Sequence, residues 1–521
     1  MKKILSLVFL ISMQFNSIAQ KKMLEWGELE GRSGYLVEML PFHNKDFYTL
    51  RWKGGGILGG YYLSRFDDLK ETKTKRISIS VNNNIANFEK VLIVDDHPVV
   101  FLSNIKEGKE NIYLQQYGYD LEPRGDAKLM AQYDLIKGMT KEPIKIIQSK
   151  DKKYFAILWL LVGKKKDKDV YGYAVYDDKF TQVDEGEYEV PYESRYSYIT
   201  HHLLSNTGHY FFVVKEYTQN DDRRANQSDV MYKAMHIFQV SNDDGLEQYT
   251  IPMQGKRVEA LSVNTDDSTA FTITGVYGSN AFSGVNGVFY MQLDFKNKKV
   301  IREGFQEFYK DFITEDWSEK EIQRVEKRSV RGKDEPALYN YQMREAQLLS
   351  DGSIVGIMEQ NYVVVRTFSD ARSMVTYNYT YYYNDIIVFK IGQLGSFDWV
   401  DKVRKSQVST NDGGPYSSYA SIVDGDKLRL IFNDNIENYT PTGQYIPNNV
   451  YTSRFNQKHN VVAMTEIDLA NGMQNRYTLF SRKETKTIAF PKLFKVDLNS
   501  KEMLIYTGFK GKELYGILNF K

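Results

Sequence analysis

Eight times along the 521 residues, a tight polar turn precedes a short apolar or aromatic strand, a loop, and a second strand that usually stops at Asp or Asn. The turns sit at Asn44 to Asp46, Asp95 to Asp96, Lys150 to Asp151, Asn206 to Gly208, Asp266 to Asp267, Asp351 to Gly352, Asp424 to Gly425 and Asn499 to Ser500. After them come runs such as FYTLRW, VVFLS, YFAILWLL and LRLIFND; the returning strands read YYLSRFD, IYLQQYGYD, VYGYAVYD and VFYMQLD. A long period built only from strand signals predicts an all-β chain, a single β-propeller in which each repeat is one small antiparallel sheet. Eight blades are expected, seven being the alternative. Tyr at 39 and Phe at 29 suit pleated, half-buried surfaces better than helices.

The repeats are large, roughly 63 residues each against about 40–50 for familiar blades, so some connections must be enlarged. The elaborations fall between the second and third strands of a repeat or between repeats: Thr218 to Asp229, Gly275 to Gly287, Thr367 to Tyr383 and Asn435 to Asn460 as loop tips, and 305–342 as an insertion between blades five and six. In an antiparallel blade these connections leave one end of the sheet, so one face of the ring is expected to be elaborated. Within 305–342, Phe305, Phe308, Tyr309, Phe312 and Ile313 carry the spacing of one helical stripe, and Ser318 with Glu321 matches a capping box opening a second short helix. Too little chain follows Ser500 for a full four-stranded sheet, so 23–29 is expected to supply the outer strand of the last blade.

Lys2 and Lys3, the apolar run Ile4 to Phe15 and Ser17-Ile18-Ala19 have the parts of a secretory leader, giving residues 1–19 as signal peptide and 20–521 as the propeller. No later run approaches the length of a membrane span. With no Cys, neither a lipidated cysteine nor a disulfide framework is available. Lys plus Arg at 68 balances Asp plus Glu at 67, which argues against nucleic acid as a partner.

Motifs with a mechanism behind them are absent: no H-E-x-x-H, no G-x-S-x-G, no phosphate loop and no EF-hand loop. The expectation is therefore a protein without catalytic residues, metal or cofactor. Aromatic residues crowd the enlarged connections instead. Tyr377, Tyr379, Tyr381 and Tyr383 alternate, so in an extended conformation they share a face while Tyr382 points the other way. Tyr439, Tyr445 and Tyr451 recur in the next repeat, and Trp317 sits in the insertion. Tyr buries large area at low entropic cost and still finds a partner for its hydroxyl, so this set is the candidate protein interface. The alternative is a carbohydrate site or a glycoside-cleaving one, with Glu216, Glu359 and Asp434 closing second strands and Asp385 opening a third, because glycoside cleavage needs two carboxylates about 5–10 Å apart. Folding of the tyrosine loops on one another into a local cap is a third reading.

The leader ending Ser-Ile-Ala before Gln20, the Tyr-, Asn- and Lys-rich composition, and stretches such as YYYNDIIVFKIGQLGSFDWVDKVRKSQ and YSSYASIVDGDKLRLIFNDNIEN resemble secreted propeller proteins of the Bacteroidetes. That resemblance implies a soluble periplasmic protein, extracellular being the alternative, that serves a protein partner as an accessory or plug-like subunit of an outer-membrane complex such as the type 9 secretion translocon. It names no residue.

Overall fold

The structure, a computed structural model, describes residues 23–43, 45–55, 59–135, 144–162, 167–219, 230–265, 270–279, 283–332, 334–369, 375–497 and 501–520. The expected leader 1–19 lies outside the described residues, as do Asn44, the Asp266–Asp267 and Asn499–Ser500 turns and the centres of several loop tips.

Among the described residues the chain forms eight antiparallel sheets of four or more strands, consistent with a β-propeller. Seven are built from strands consecutive in sequence, beginning with Tyr35–His43, Asp46–Lys53, Gly60–Asp67 and Lys70–Arg76, and ending with Tyr419–Asp424, Lys427–Asn435, Asn460–Asp468 and Gln474–Ser481. The turns do what their chemistry dictates. Asp95 and Asp96 take φ of 47° and 60°, and His97 pairs directly with Val94, the geometry of a two-residue hairpin whose handedness matches strand twist.

The eighth sheet draws on both halves of the chain. Its hairpin Glu502–Phe509 and Lys512–Asn519 is flanked on one side by Ile488–Ala489 and Lys495–Asp497, and on the other by Leu24–Trp26 and Glu30–Gly31. Leu24 pairs with Leu518 and Trp26 with Gly516.

Burial follows the same plan. The second strand of each consecutively built sheet carries a buried, mostly apolar run because both of its faces are covered there; Tyr210 to Val214 is fully buried. The buried side chains form clusters that each sit between two sheets successive in the chain, such as Phe101 with Phe155 between the second and third, and Phe211 with Phe271 between the fourth and fifth. One more cluster joins the eighth sheet to the first, where Phe47 and Phe66 stack at 4.5 Å with Tyr515 against both. At that seam Arg51, 0% exposed, sends both terminal guanidinium nitrogens to the Glu513 carboxylate, with NH1 at 2.6 Å. Tyr506 Oη donates to the same carboxylate at 2.8 Å.

The insertion departs from its expected stripe. Phe305 belongs to the strand Lys299–Glu307 and pairs with Phe289, so the run from Phe305 is not one helix. The chain turns into helix α1 (Lys310–Thr314) only afterwards, with Phe308 and Ile313 buried and Tyr309 72% exposed. Sheet pairing outcompetes the helical spacing because Phe305 already has a place against Phe289 and Tyr277. Helix α2 (Glu319–Ser329) starts at Ser318, whose hydroxyl accepts from the Glu321 amide while the Glu321 carboxylate accepts from the Ser318 amide. None of its residues is buried, and Ile322 and Val325 are half-buried rather than facing a core.

Candidate functional site

The feature that sets the sixth sheet apart is a hairpin of two very long strands, Ile354–Ser369 and Val375–Ile391. Thr367 to Tyr383, expected as a loop tip, is strand wherever it is described: Asn361 pairs with Tyr383, Val363 with Tyr381, Val365 with Tyr379 and Thr367 with Tyr377. Val, Tyr and Thr are strong strand formers, and their alternation carries the pairing beyond the other strands of the sheet. The first strand Tyr341–Leu348 pairs only as far as Gln360, and the Asn361 amide still donates to the Asn340 carbonyl at 3.0 Å, so 362–369 keeps one free edge among the described residues. On the opposite side, Gln407–Thr410 pairs with Tyr383 back to Thr380 and props the base of the projection.

Strand alternation sorts the side chains. Tyr382 stacks on Tyr362 at 4.7 Å on one face. The other face carries Tyr377 and Tyr379, 55% and 40% exposed, beside Val363 and Val365, both 49% exposed. Tyr381 is half-buried; so is Tyr383, whose ring lies 4.6 Å from the Lys492 ammonium.

The other aromatic candidates are placed differently. Trp317 is half-buried against the cluster between the fifth and sixth sheets. Tyr439 is a correction to the expected interface set: it is buried at 6% exposure and its hydroxyl donates to Asp434 at 2.6 Å. Tyr445 donates to the Asn449 carbonyl at 2.8 Å and covers the Arg476 guanidinium at 4.3 Å, with Phe432 at 4.7 Å on that same group. This loop folds into a local cap around Arg476. Tyr451 remains outward at 53% exposure.

The four candidate carboxylates do not form a catalytic pair. Glu216 lies in the fourth sheet, bonded to Lys233 at 2.7 Å and His236 at 3.1 Å. Glu359, 0% exposed, accepts from Lys405 at 3.0 Å, Ser418 at 2.7 Å and Arg344 at 3.1 Å. Asp385, which lies within the long strand rather than opening it, accepts from the Lys405 amide at 2.8 Å and from Arg404 at 3.2 Å. Burial nonetheless pushes the Asp385 carboxyl above its usual range, those two partners offsetting part of the rise. Asp434, also 0% exposed, is held by Arg476, Asn438 and Tyr439. Glu359, Asp385 and Asp434 do act together on the Lys405 ammonium, but inside a filled interior rather than in a cleft. Burial pulls that ammonium below its ordinary value even so, with Glu359 opposing the fall. A buried charge is tolerable only when paired and hydrogen-bonded, and these groups are spent on that task.

Sequence reading missed the basic half of this network. Lys405 spans three strands, donating to Glu359, to the Tyr383 carbonyl at 2.9 Å and to Gln407 at 3.1 Å. Lys402 and Arg404 fasten the turn between the helices, each reaching Glu315 and Asp316. The alternation of VDKVRKSQ was the available signal: Lys402 and Arg404 share one face of the strand end, and Lys405 takes the other.

A second polar chain runs through the third and fourth sheets. Lys145 can only donate, so at 3.2 Å it fixes His202 Nε2 as an acceptor. Nδ1–H then donates to Tyr210 Oη at 2.7 Å, and Tyr210 donates on to Tyr188 at 2.9 Å. Burial first, then the charges of Lys145 and His201, pulls His202 from 6.5 down to about 3. The native ring is neutral, so stability from this site is complete above the unfolded pKa of about 6.5 and falls as pH drops toward 3. Discounted for partial exposure, roughly 1–3 kcal/mol should be lost between neutral pH and pH 4. Urea unfolding of His202→Gln against the native chain checks this: the variant should show the shallower decline.

No group of His, Asp and Glu suited to a metal ion occurs among the described residues, and no helix there is long and apolar enough to cross a membrane.

No family model and no curated protein matches the chain. Among solved structures it is similar to prolyl oligopeptidase B from Galerina marginata, at 11% identity and a TM-score of 0.38, over 93% of this chain. The chain spans 55% of that protein's length. It is also similar to cobalt-substituted apocarotenoid oxygenase from Synechocystis, at 10% identity and a TM-score of 0.32, over 96% of this chain and 93% of that one. Both carry the names of enzymes, so the expectation that this chain is not an enzyme is withdrawn. Likeness at this level assigns it no chemistry.

Proposed function

We propose that the eight sheets close into an eight-bladed propeller sealed by the N-terminal strand, and that the hairpin projecting from the sixth blade docks another envelope protein. In this reading the protein is exported to the periplasm and serves as an accessory or plug-like subunit of an outer-membrane protein-export complex of the type 9 secretion kind. Support for closure comes from the apolar cluster and the Arg51–Glu513 pair between the first and eighth sheets. The leader-like residues 1–19 and the resemblance to Bacteroidetes propellers support export.

One observation carries the docking role: Val363, Val365, Tyr377 and Tyr379 form a contiguous face, each at least 40% exposed, beside the edge of 362–369 that is free among the described residues. A partner could both cover the aromatic face and pair with that edge, the two modes that give area and register to strand addition. Exposed edges are usually blunted, so a long one beside apolar residues marks a surface meant to be covered.

The test is the double variant Tyr377→Ser, Tyr379→Ser, captured from native envelopes. Because both side chains are surface residues, stability should change by less than about 1 kcal/mol, while the co-purifying membrane protein is lost. An unchanged set of captured proteins contradicts the reading. Substitution serves better than deletion of Thr367 to Tyr383, which would remove the strand that Lys405 and Gln407 brace.

A further inference from the structure

A cavity of about 440 Å³ opens among the first two strands of the sixth and seventh sheets and the segment Pro491 to Val496 of the eighth. Its apolar wall includes Ile357, Ile422 and Phe494; its polar groups gather at Glu345, Gln347, Tyr419 and Ser421. Three observations give this patch a chemical character. Tyr419 is 7% exposed, yet its hydroxyl has no hydrogen-bond partner among the described residues, although the charges of Glu345 and Glu359 both act on it. An unsatisfied buried hydroxyl is a standing cost, which a ligand group could remove. Ser421 Oγ donates to Glu345, leaving the serine's own lone pairs open to the cavity. Glu345 follows a β-bulge, between Met343 and Glu345, which sends Arg344 to Glu359 and leaves the Glu345 carboxylate facing the cavity without a bonded cation among the described residues. The cavity's own cation, Lys492, is turned to the Tyr383 hydroxyl at 3.3 Å.

Carboxylate, phenol oxygen, serine oxygen and amide oxygen are all acceptors, converging beside an apolar wall. We propose that this cavity binds a primary ammonium group carried on an apolar body, with Glu345, Tyr419 and Ser421 accepting from the ammonium and the body lying on Ile357, Ile422 and Phe494. The volume is within the range of small-ligand sites. Burial of the Glu345 carboxyl within the cavity wall raises it above the ordinary value, with Ser421 and Arg344 pulling down and Glu359 pushing up. Binding therefore needs the ionised carboxylate and weakens as pH falls through that raised pKa. The site is independent of the docking reading, since none of its residues lies on the hairpin's outward face.

Calorimetric titration of the full chain at pH 8 tests it with 2-phenylethylamine, leucyl-leucine amide and N-acetyl-leucyl-leucine amide. Saturable binding of a free-amine probe, absent for the acetylated one, is the expected result. Preference for the small amine or for the dipeptide tells a free amine from a peptide N-terminus as the source. Glu345→Gln should weaken binding about 10- to 100-fold, and Tyr419→Phe roughly 3- to 10-fold. Failure of both free amines to bind, or binding that survives acetylation or Glu345→Gln unchanged, overturns the proposal. Should Glu345→Gln not fold, Tyr419→Phe and the acetylated probe decide it.

Discussion

Arg51→Met should destabilise the protein by about 3–5 kcal/mol in urea unfolding, the usual cost of stranding one member of a buried ion pair. The partner left behind is Glu513, whose side chain is 5% exposed and which no water can readily solvate. Tyr506 and Tyr515 would still reach its oxygens, at 2.8 Å and 3.3 Å, and Arg32 Nε lies 3.7 Å away, so the loss should fall short of a bare buried charge. The pair joins residues 462 apart, one in the first sheet and one in the eighth. Its loss should therefore expose the seam early, seen as faster hydrogen exchange at Leu24–Trp26 and Lys512–Asn519. Replacing both partners, Arg51→Met with Glu513→Met, should recover most of the stability, because a buried pair exchanged for apolar volume is often nearly neutral. A single variant as stable as the native chain would mean the seam does not hold the two sheets together.

Lys405→Met is the second large effect, again about 3–5 kcal/mol, since Glu359 at 0% exposure would keep only Ser418 and Arg344. Here the consequence is local as well as global. Lys405 Nζ is the point at which the two long strands and Gln407 meet, so its removal should loosen the base of the hairpin and lower the yield of captured partner, even where the rest of the fold persists. Glu359→Met on top of Lys405→Met should restore stability; partner capture should return only as far as the hairpin regains its pairing with Gln407–Thr410.

The turn chemistry was legible because it is local. Asp95 and Asp96 in the left-handed region and Gly352 at φ of 82° are consequences of residue type at adjacent positions. The capping box at Ser318 was legible for the same reason. Phe305 was misread because spacing alone cannot weigh a helix against a waiting sheet neighbour such as Phe289. Strands of 16 and 17 residues exceed the ordinary length, so their far ends read as loop. The candidate carboxylates were visible as residues but not as ion pairs: Asp434 finds Arg476 from 42 positions away, and Glu359 finds Lys405 from 46, distances over which sequence carries no pairing signal. Tyr439 shows the same limit. Its neighbours in sequence suggest a surface loop, whereas Asp434 and Arg476 draw it inward.

Site-specific photocrosslinking in intact cells tests the docking role most directly. A photoreactive residue replacing Tyr379 on the outward face should give one discrete adduct with an envelope protein, while the same group replacing Ile85, 86% exposed in a separate small hairpin, should give none. No adduct from position 379, or the same adduct from both positions, would contradict the account.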